Sequence, residues 1–184
     1  MEYLKSNYNS LSTLIFVFFI IVAHIFATNN YDFSKNTISD LGAQAYDRKW
    51  IMQIGFLLFG ITVVVGIFLN GFSVRTLAIL IYALCVAMTG IFSTKPFFQV
   101  NTFSQTQSSL HSVFAQIAGM SFSIGILMQL FYEMEKPMKT AHFIFFLLVI
   151  GFSASFGVLK NYQGIAQRLL YLVSFIWFIK FYKP

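Results

Sequence analysis

The sequence predicts an all-α polytopic membrane protein, a bundle of six transmembrane helices forming a single domain over residues 1–184. Three observations predict it. Hydrophobic residues make up 58% of the chain and include 24 Phe, while charged residues reach only 10%. That is more apolar surface than one small soluble core can bury, so lipid has to solvate the rest. The apolar residues are gathered into six runs, each close to the roughly 20 residues with which a helix crosses the roughly 30 Å hydrocarbon layer. None of the runs alternates as a barrel strand would, and backbone groups in lipid must find partners within their own segment, which leaves helices.

The spans fall at residues 11–28, 50–70, 76–94, 111–132, 141–160 and 165–182. The first is too long and too apolar for a signal-peptide core, and no clean A-x-A site follows it, so it reads as a retained span. The second carries Gly55, Gly60 and Gly66, and the fifth carries Gly151, Ser153, Ser155 and Gly157, small residues that let helices approach closely in lipid. The third holds the lone cysteine, Cys85, which has no partner for a disulfide or a thiolate metal site and reads as packing. The fourth is the most polar along its depth, with Ser112, Gln116, Ser121, Ser123 and Gln129. The sixth opens on Gln167 and Arg168. The linker "EMEKPMKT", 133–140, is an ordinary solvated turn broken by Pro137. Tyr31, Trp50, Tyr162, Tyr171 and Tyr182 lie near span ends, as residues of an aromatic belt do.

The net charge is +6 and the isoelectric point is near 9.5. The Lys and Arg residues stand at the ends of apolar runs, which fits interfacial anchoring and contact with anionic lipid headgroups rather than nucleic acid. The expected partners are membrane lipid and a second copy of the chain or another membrane protein. Lys5, Arg75, Lys136, Lys139, Lys180 and Lys183 fall on the side of the termini, and Lys35, Arg48, Lys49, Lys95, Lys160 and Arg168 fall opposite, so the positive-inside count cancels. Short linkers on the first side, "GFSVR" among them, favour cytoplasmic termini in a bacterial inner membrane.

The parity of the spans gathers His24, Asp40, Gln53, Lys95, His111, Gln167 and Arg168 at one membrane face. His24 lies inside the apolar boundary, where ionisable residues usually face the bundle interior and have a partner. Asp40 sits in "NTISDLGAQAYDRKW", 36–50. There Ser39 to Gly42 suits either a capped short turn or a carboxylate aimed at a site. Arg168 alone would snorkel to headgroups, yet Asp40 in the same leaflet offers it a bidentate partner. Ile38 and Leu41 flank Asp40 and are poorly placed in open water. The segment is therefore expected to fold back over the bundle end, with Asp40 against Arg168 or His111.

The residues Ile38-Ser39-Asp40-Leu41-Gly42-Ala43, Gly90-Ile91-Phe92 with Pro96, His111, and Gly164 with Gln167-Arg168 and Trp177 carry a resemblance. The chain resembles a prokaryotic six-helix membrane family catalogued as domain of unknown function 998, itself distantly similar to the DRAM/Frag-type eukaryotic membrane proteins. Ser93 stands where that pattern has a proline. The resemblance implies six spans and one site shared by the Asp, His and Arg; it implies no activity. No Walker loop, H-E-x-x-H, G-x-S-x-G or haem-type cysteine motif is present.

Three functions fit these observations. The favoured one is binding of a lipid or amphiphilic small molecule, with Asp40, His111 and Arg168 at its polar group and His24, Lys95, Gln53 and Gln167 around them. A second is a membrane-embedded lipid hydrolase or transferase using His24, His111 and Asp40 as metal ligands or as an acid/base set. A third is an oligomeric pore or a partner-binding effector. The sequence leaves open whether the chain is an enzyme. No cofactor is expected, and six packed apolar helices need no metal to fold.

Overall fold

The computed structural model describes residues 2–184, with side chains from residue 5 onward. The described residues form six long helices: α1 Glu2–Ile25, α2 Lys49–Asn70, α3 Leu77–Ile91, α4 Gln105–Tyr132, α5 Lys136–Val158 and α6 Gln163–Lys180. Short 3-10 turns stand at Ser39–Gly42, Val74–Thr76 and Lys160–Tyr162, and no strand occurs among the described residues. Five segments are long and apolar enough to cross a membrane: Lys5–Ile25, Lys49–Asn70, Val74–Ile91, Gln105–Tyr132 and Lys136–Val158. Gln163, Gln167, Arg168 and Lys180 dilute the apolar run of α6, which nonetheless takes its place in the bundle between α5 and α1.

Helix ends depart from the sequence expectation where polar residues do structural work. The first helix begins well before residue 11, because part of its start packs against the bundle. Tyr8 is 2% exposed, and the Asn9 side-chain amide donates to the Phe178 carbonyl of α6 at 3.0 Å. Asn7 has non-helical angles and marks a kink there. The fourth helix also starts early, at a Ser104 cap whose Oγ accepts from the Gln107 N–H at 3.3 Å.

Each helix packs beside its neighbours in the chain, and α6 closes the ring onto α1. Phe16 is fully buried at the centre of the α1, α2 and α6 side. Its ring lies 5.1 Å from Phe56, 5.2 Å from Phe59, 5.4 Å from Tyr171 and 5.8 Å from Phe175, in tilted and edge-on arrangements that aromatic quadrupoles favour. On the other side Trp177 of α6 is fully buried, and its indole N–H donates to His142 Nδ1 of α5 at 3.0 Å. Both described chain ends lie at one end of the bundle. Asn70 at the end of α2 donates to the Lys5 carbonyl, Gln129 near the end of α4 donates to the Lys183 carbonyl, and Lys183 pairs with Glu133 at 3.6 Å.

The glycines of α2 and α5 behave differently. A Cβ at Gly66 would collide with the Tyr8 ring, one at Gly60 with the Ala83 carbonyl, and one at Gly55 with Phe19. These glycines let α1 and α3 approach α2 closely, as expected. Gly151 and Gly157 of α5 meet nothing within 4 Å, so the expectation of close approach fails for them. The reason is that α5 lies on the rim, with only His142 and Val149 buried.

Gly66→Ala should therefore lower stability by about 1–3 kcal/mol through overpacking, whereas Gly151→Ala should stay within about 0.5 kcal/mol of the parent. Thermal unfolding of the two variants in detergent checks this. Equal midpoints would show that Tyr8 moves aside without cost.

Candidate functional site

The end of the bundle opposite the chain termini is organised by one side chain. Arg168 stands in the second turn of α6 and reaches across to α1 and to the segment after it. Its Nη1 donates to the carbonyl oxygens of Phe33 at 2.9 Å, Asn36 at 3.1 Å and Gly164 at 2.8 Å. Its Nη2 donates to the Tyr31 oxygen at 2.6 Å and to His24 Nε2 at 2.7 Å. The Phe33 ring lies 3.8 Å from the guanidinium carbon, a cation–π contact. Gly164 makes this approach possible, since a Cβ there would strike the same Phe33 and Asn36 carbonyls.

The His24 tautomer follows from its partners. Its Nδ1 lies 2.7 Å from the Ile20 carbonyl and its Nε2 faces a guanidinium that can only donate. Both bonds form when Nδ1 carries the proton and Nε2 offers its lone pair. His24 thus faces inward, as its depth suggests, with Arg168 as partner. Burial pushes the Tyr31 hydroxyl up to about 12. It stays protonated, accepts from Arg168 and donates to the Thr37 carbonyl at 2.9 Å.

The "NTISDLGAQAYDRKW" segment does fold back over the bundle. Ile38 is 2% exposed and Leu41 and Ala43 are fully buried, with the Ser39–Gly42 turn packed on α2. Gln167 of α6 accepts from the Ile38 N–H at 2.5 Å and donates to Ser39 Oγ at 3.4 Å. Further along, Gln44 is buried and bridges to the α3–α4 linker. Its amide donates to the Ser104 and Ser93 carbonyls, and its Oε1 accepts from the Ser104 N–H at 2.7 Å.

The expected pairing of Asp40 with Arg168 does not form. Asp40 Oδ2 accepts from the Thr37 N–H at 2.8 Å, while Thr37 Oγ1 accepts from the Asp40 N–H at 3.2 Å, a reciprocal cap of the turn. Five neutral acceptors already occupy the Arg168 terminal nitrogens, so neither terminal nitrogen is free to draw the carboxylate over. Burial raises the Asp40 pKa above the ordinary carboxylate range, opposed by the Thr37 and Asn36 hydrogen bonds and by the field of His111.

The other candidate residues separate. His111 is 5% exposed and its Nδ1 lies 2.7 Å from the Phe92 carbonyl. Gln53 donates to Ser93 Oγ at 3.1 Å, which gives Ser93 a structural use. Lys95 is exposed. His24, His111 and Asp40 do not assemble as ligands: no group of three His, Cys, Asp or Glu able to hold a metal ion occurs among the described residues. His24 Nε2 is committed to a cation, which leaves its lone pair unavailable to another.

Beneath this cap lies a cavity of roughly 870 Å³ between α3, α4, α5 and α6. Ser39, Thr94, His111 and Gln167 line its mouth, and its interior is chiefly apolar. No Lys, Arg, Asp or Glu contributes to the lining. Of the residues singled out in the sequence, His111 and Gln167 reach the cavity, whereas His24, Asp40, Gln53, Lys95 and Arg168 do not. Sequence reading missed Tyr31 and Gln44. Tyr31 reads in the sequence as an aromatic-belt residue, and a lone Gln in a loop gives no periodic signal.

A ring of six helices, five of them long and apolar enough to cross a membrane, with a cavity between four of them, defines a polytopic helical membrane protein. Over residues 10–181 the chain matches the family described as protein of unknown function (DUF998), and it belongs to that family. No curated protein and no solved structure matches it.

Two expectations follow for the cap. Arg168→Ala should destabilise the protein by about 2–3 kcal/mol, because it strands several part-buried acceptors at once. Thermal unfolding measures it, and a loss under about 1 kcal/mol would mean that the cap holds without the guanidinium. For Asp40 the folded-state pKa is raised, so its contribution to stability is complete below the ordinary carboxylate pKa and is lost as pH rises through the raised value. Asp40→Asn keeps an acceptor for Thr37 and cannot ionise. Its stability should fall less than that of the parent across that window, and parallel pH profiles would sink the assignment.

Proposed function

We propose that this protein binds an uncharged amphiphile, with the apolar part of the ligand between α3, α4, α5 and α6 and its polar group at the mouth formed by Ser39, Thr94, His111 and Gln167. The observation that carries the reading is the cavity: large, apolar within, polar at one end and free of charged side chains. An anionic headgroup buried there would have no cation beside it, and an unpaired charge out of water costs several kcal/mol. Hydroxyl and amide groups at the mouth suit a ligand that both gives and takes hydrogen bonds.

In this reading Asp40, His24 and Arg168 are positioning residues. They hold the lid over the mouth and set where Ser39 and Gln167 stand, while His111 and Gln167 touch the ligand. The proposed setting is a bacterial inner membrane with cytoplasmic termini. Arg168 is held by backbone carbonyls and His24 rather than by headgroups, which removes one positive charge from the face opposite the termini and tilts the otherwise even count toward that orientation.

Gly119 lines the cavity and has open space at its Cβ position. Gly119→Phe should fill the cavity without disturbing the bundle. Full-length protein in nanodiscs of phosphatidylglycerol and dioleoylglycerol would be labelled with a photoactivatable dioleoylglycerol. The parent should label, and Gly119→Phe should lose labelling by about tenfold with an unchanged melting temperature. Equal labelling of both proteins would show contact with the outer surface only and would end the cavity reading.

A further inference from the structure

Two tyrosine hydroxyls in the cavity have no use within the protein. Tyr82 of α3 is 6% exposed, lines the cavity and packs its ring against Phe59 and Phe122. Tyr171 of α6 lines the same cavity, with its ring against Phe16 and Phe175. Neither hydroxyl has a hydrogen-bond partner among the described residues. Ser174, one turn after Tyr171 on the same face of α6, adds a third hydroxyl that lines the cavity, is 6% exposed and makes no such bond. The rings are employed in packing while the oxygens border the cavity, and a hydroxyl facing apolar space gains by meeting an acceptor there.

These donors sit below the mouth. Tyr171 follows Gln167 by one helical turn, which at 1.5 Å per residue places it about 6 Å deeper, and Tyr82 stands more than two turns before the end of α3 at Ile91. At that depth the surroundings are apolar, so a matching group must accept hydrogen bonds without carrying charge. An ester carbonyl accepts and never donates, whereas the mouth residues Gln167 and His111 can do both. We infer that the ligand is an acylglycerol-type lipid, its free hydroxyl at the mouth and its ester carbonyls accepting from Tyr82 and Tyr171. This rests on the cavity reading above and names the class of molecule that would fill it.

Phe substitution deletes each hydroxyl and keeps the ring, so Tyr82→Phe, Tyr171→Phe and the double variant should retain the parent's melting temperature. Full-length proteins in nanodiscs would be labelled with the photoactivatable dioleoylglycerol, and the label displaced by unlabelled dioleoylglycerol or by its dioleyl diether, which lacks both carbonyls. The parent should favour the diester by about tenfold, the worth of one well-made hydrogen bond in a site closed to water. The double variant should bind the two competitors within about twofold of each other, with its affinity for the diether unchanged. A parent that does not distinguish diester from diether overturns the inference and leaves the cavity reading intact. So does a double variant that keeps the full preference, which would mean that water or another group satisfies the hydroxyls. Should the double variant unfold, the single variants carry the same comparison. Failure of the parent to take up any label at the cavity overturns both readings.

Discussion

A half-buried guanidinium at the edge of a membrane protein needs either a counter-ion or a dense shell of neutral acceptors, and Arg168 has the second. The ion pairs of the described side chains are Lys35 with Asp32 and Lys183 with Glu133, so Arg168 stands outside both. Its terminal nitrogens are met instead by three carbonyls, a phenol oxygen and an imidazole nitrogen. Those acceptors come from α1, from the segment after it and from α6. The loop path, the inward orientation of His24, the hydroxyl geometry of Tyr31 and the need for Gly164 all depend on that single cation. Its Nε remains buried without a partner, a cost that the other contacts have to exceed.

The constraint extends downward through Gln167. Because Arg168 fixes the segment from Phe33 to Asn36, the Ile38 N–H arrives at Gln167 Oε1 and the turn after it is laid on α2. Asp40 then closes the turn on itself through Thr37. The polar cap is thus built from backbone groups more than from charges, and this is what leaves the cavity mouth polar but neutral.

Most of the fold is legible in the chain because the hydrocarbon layer imposes a length on every apolar run. Six runs of the right size and the side on which each connection falls were enough to bring His24, Asp40, His111, Gln167 and Arg168 to one end. What they do there was not legible. A sequence shows that Asp40 and Arg168 share a leaflet but not that Arg168 finds backbone carbonyls first, since every residue carries a carbonyl and none is marked. For the same reason Tyr31 and Gln44 gave no signal. Helices start earlier than their apolar runs at α1 and α4, where polar residues such as Asn9 and Ser104 bond to other parts of the protein, and at α5, where Pro137 stands in the first helical turn instead of breaking a turn over 133–140. Gly151 and Gly157 look like packing residues by composition, and only the position of α5 on the rim shows that they face open space.

That rim position has a consequence for traffic. Only 11% of the apolar window of α5 is buried, against 50% for α2 and α3. Along the same cavity Gln116, Met120 and Ile124 of α4 and Ile150 and Ser153 of α5 are exposed, so the space between the two helices opens sideways. A molecule arriving through that gap never crosses the polar cap and never meets bulk water. On the proposed function, occupancy would follow the mole fraction of the ligand in the surrounding bilayer and be indifferent to its aqueous solubility. Two copies of the same chain in membranes of different lipid makeup would then be filled to different extents, with no change in either protein.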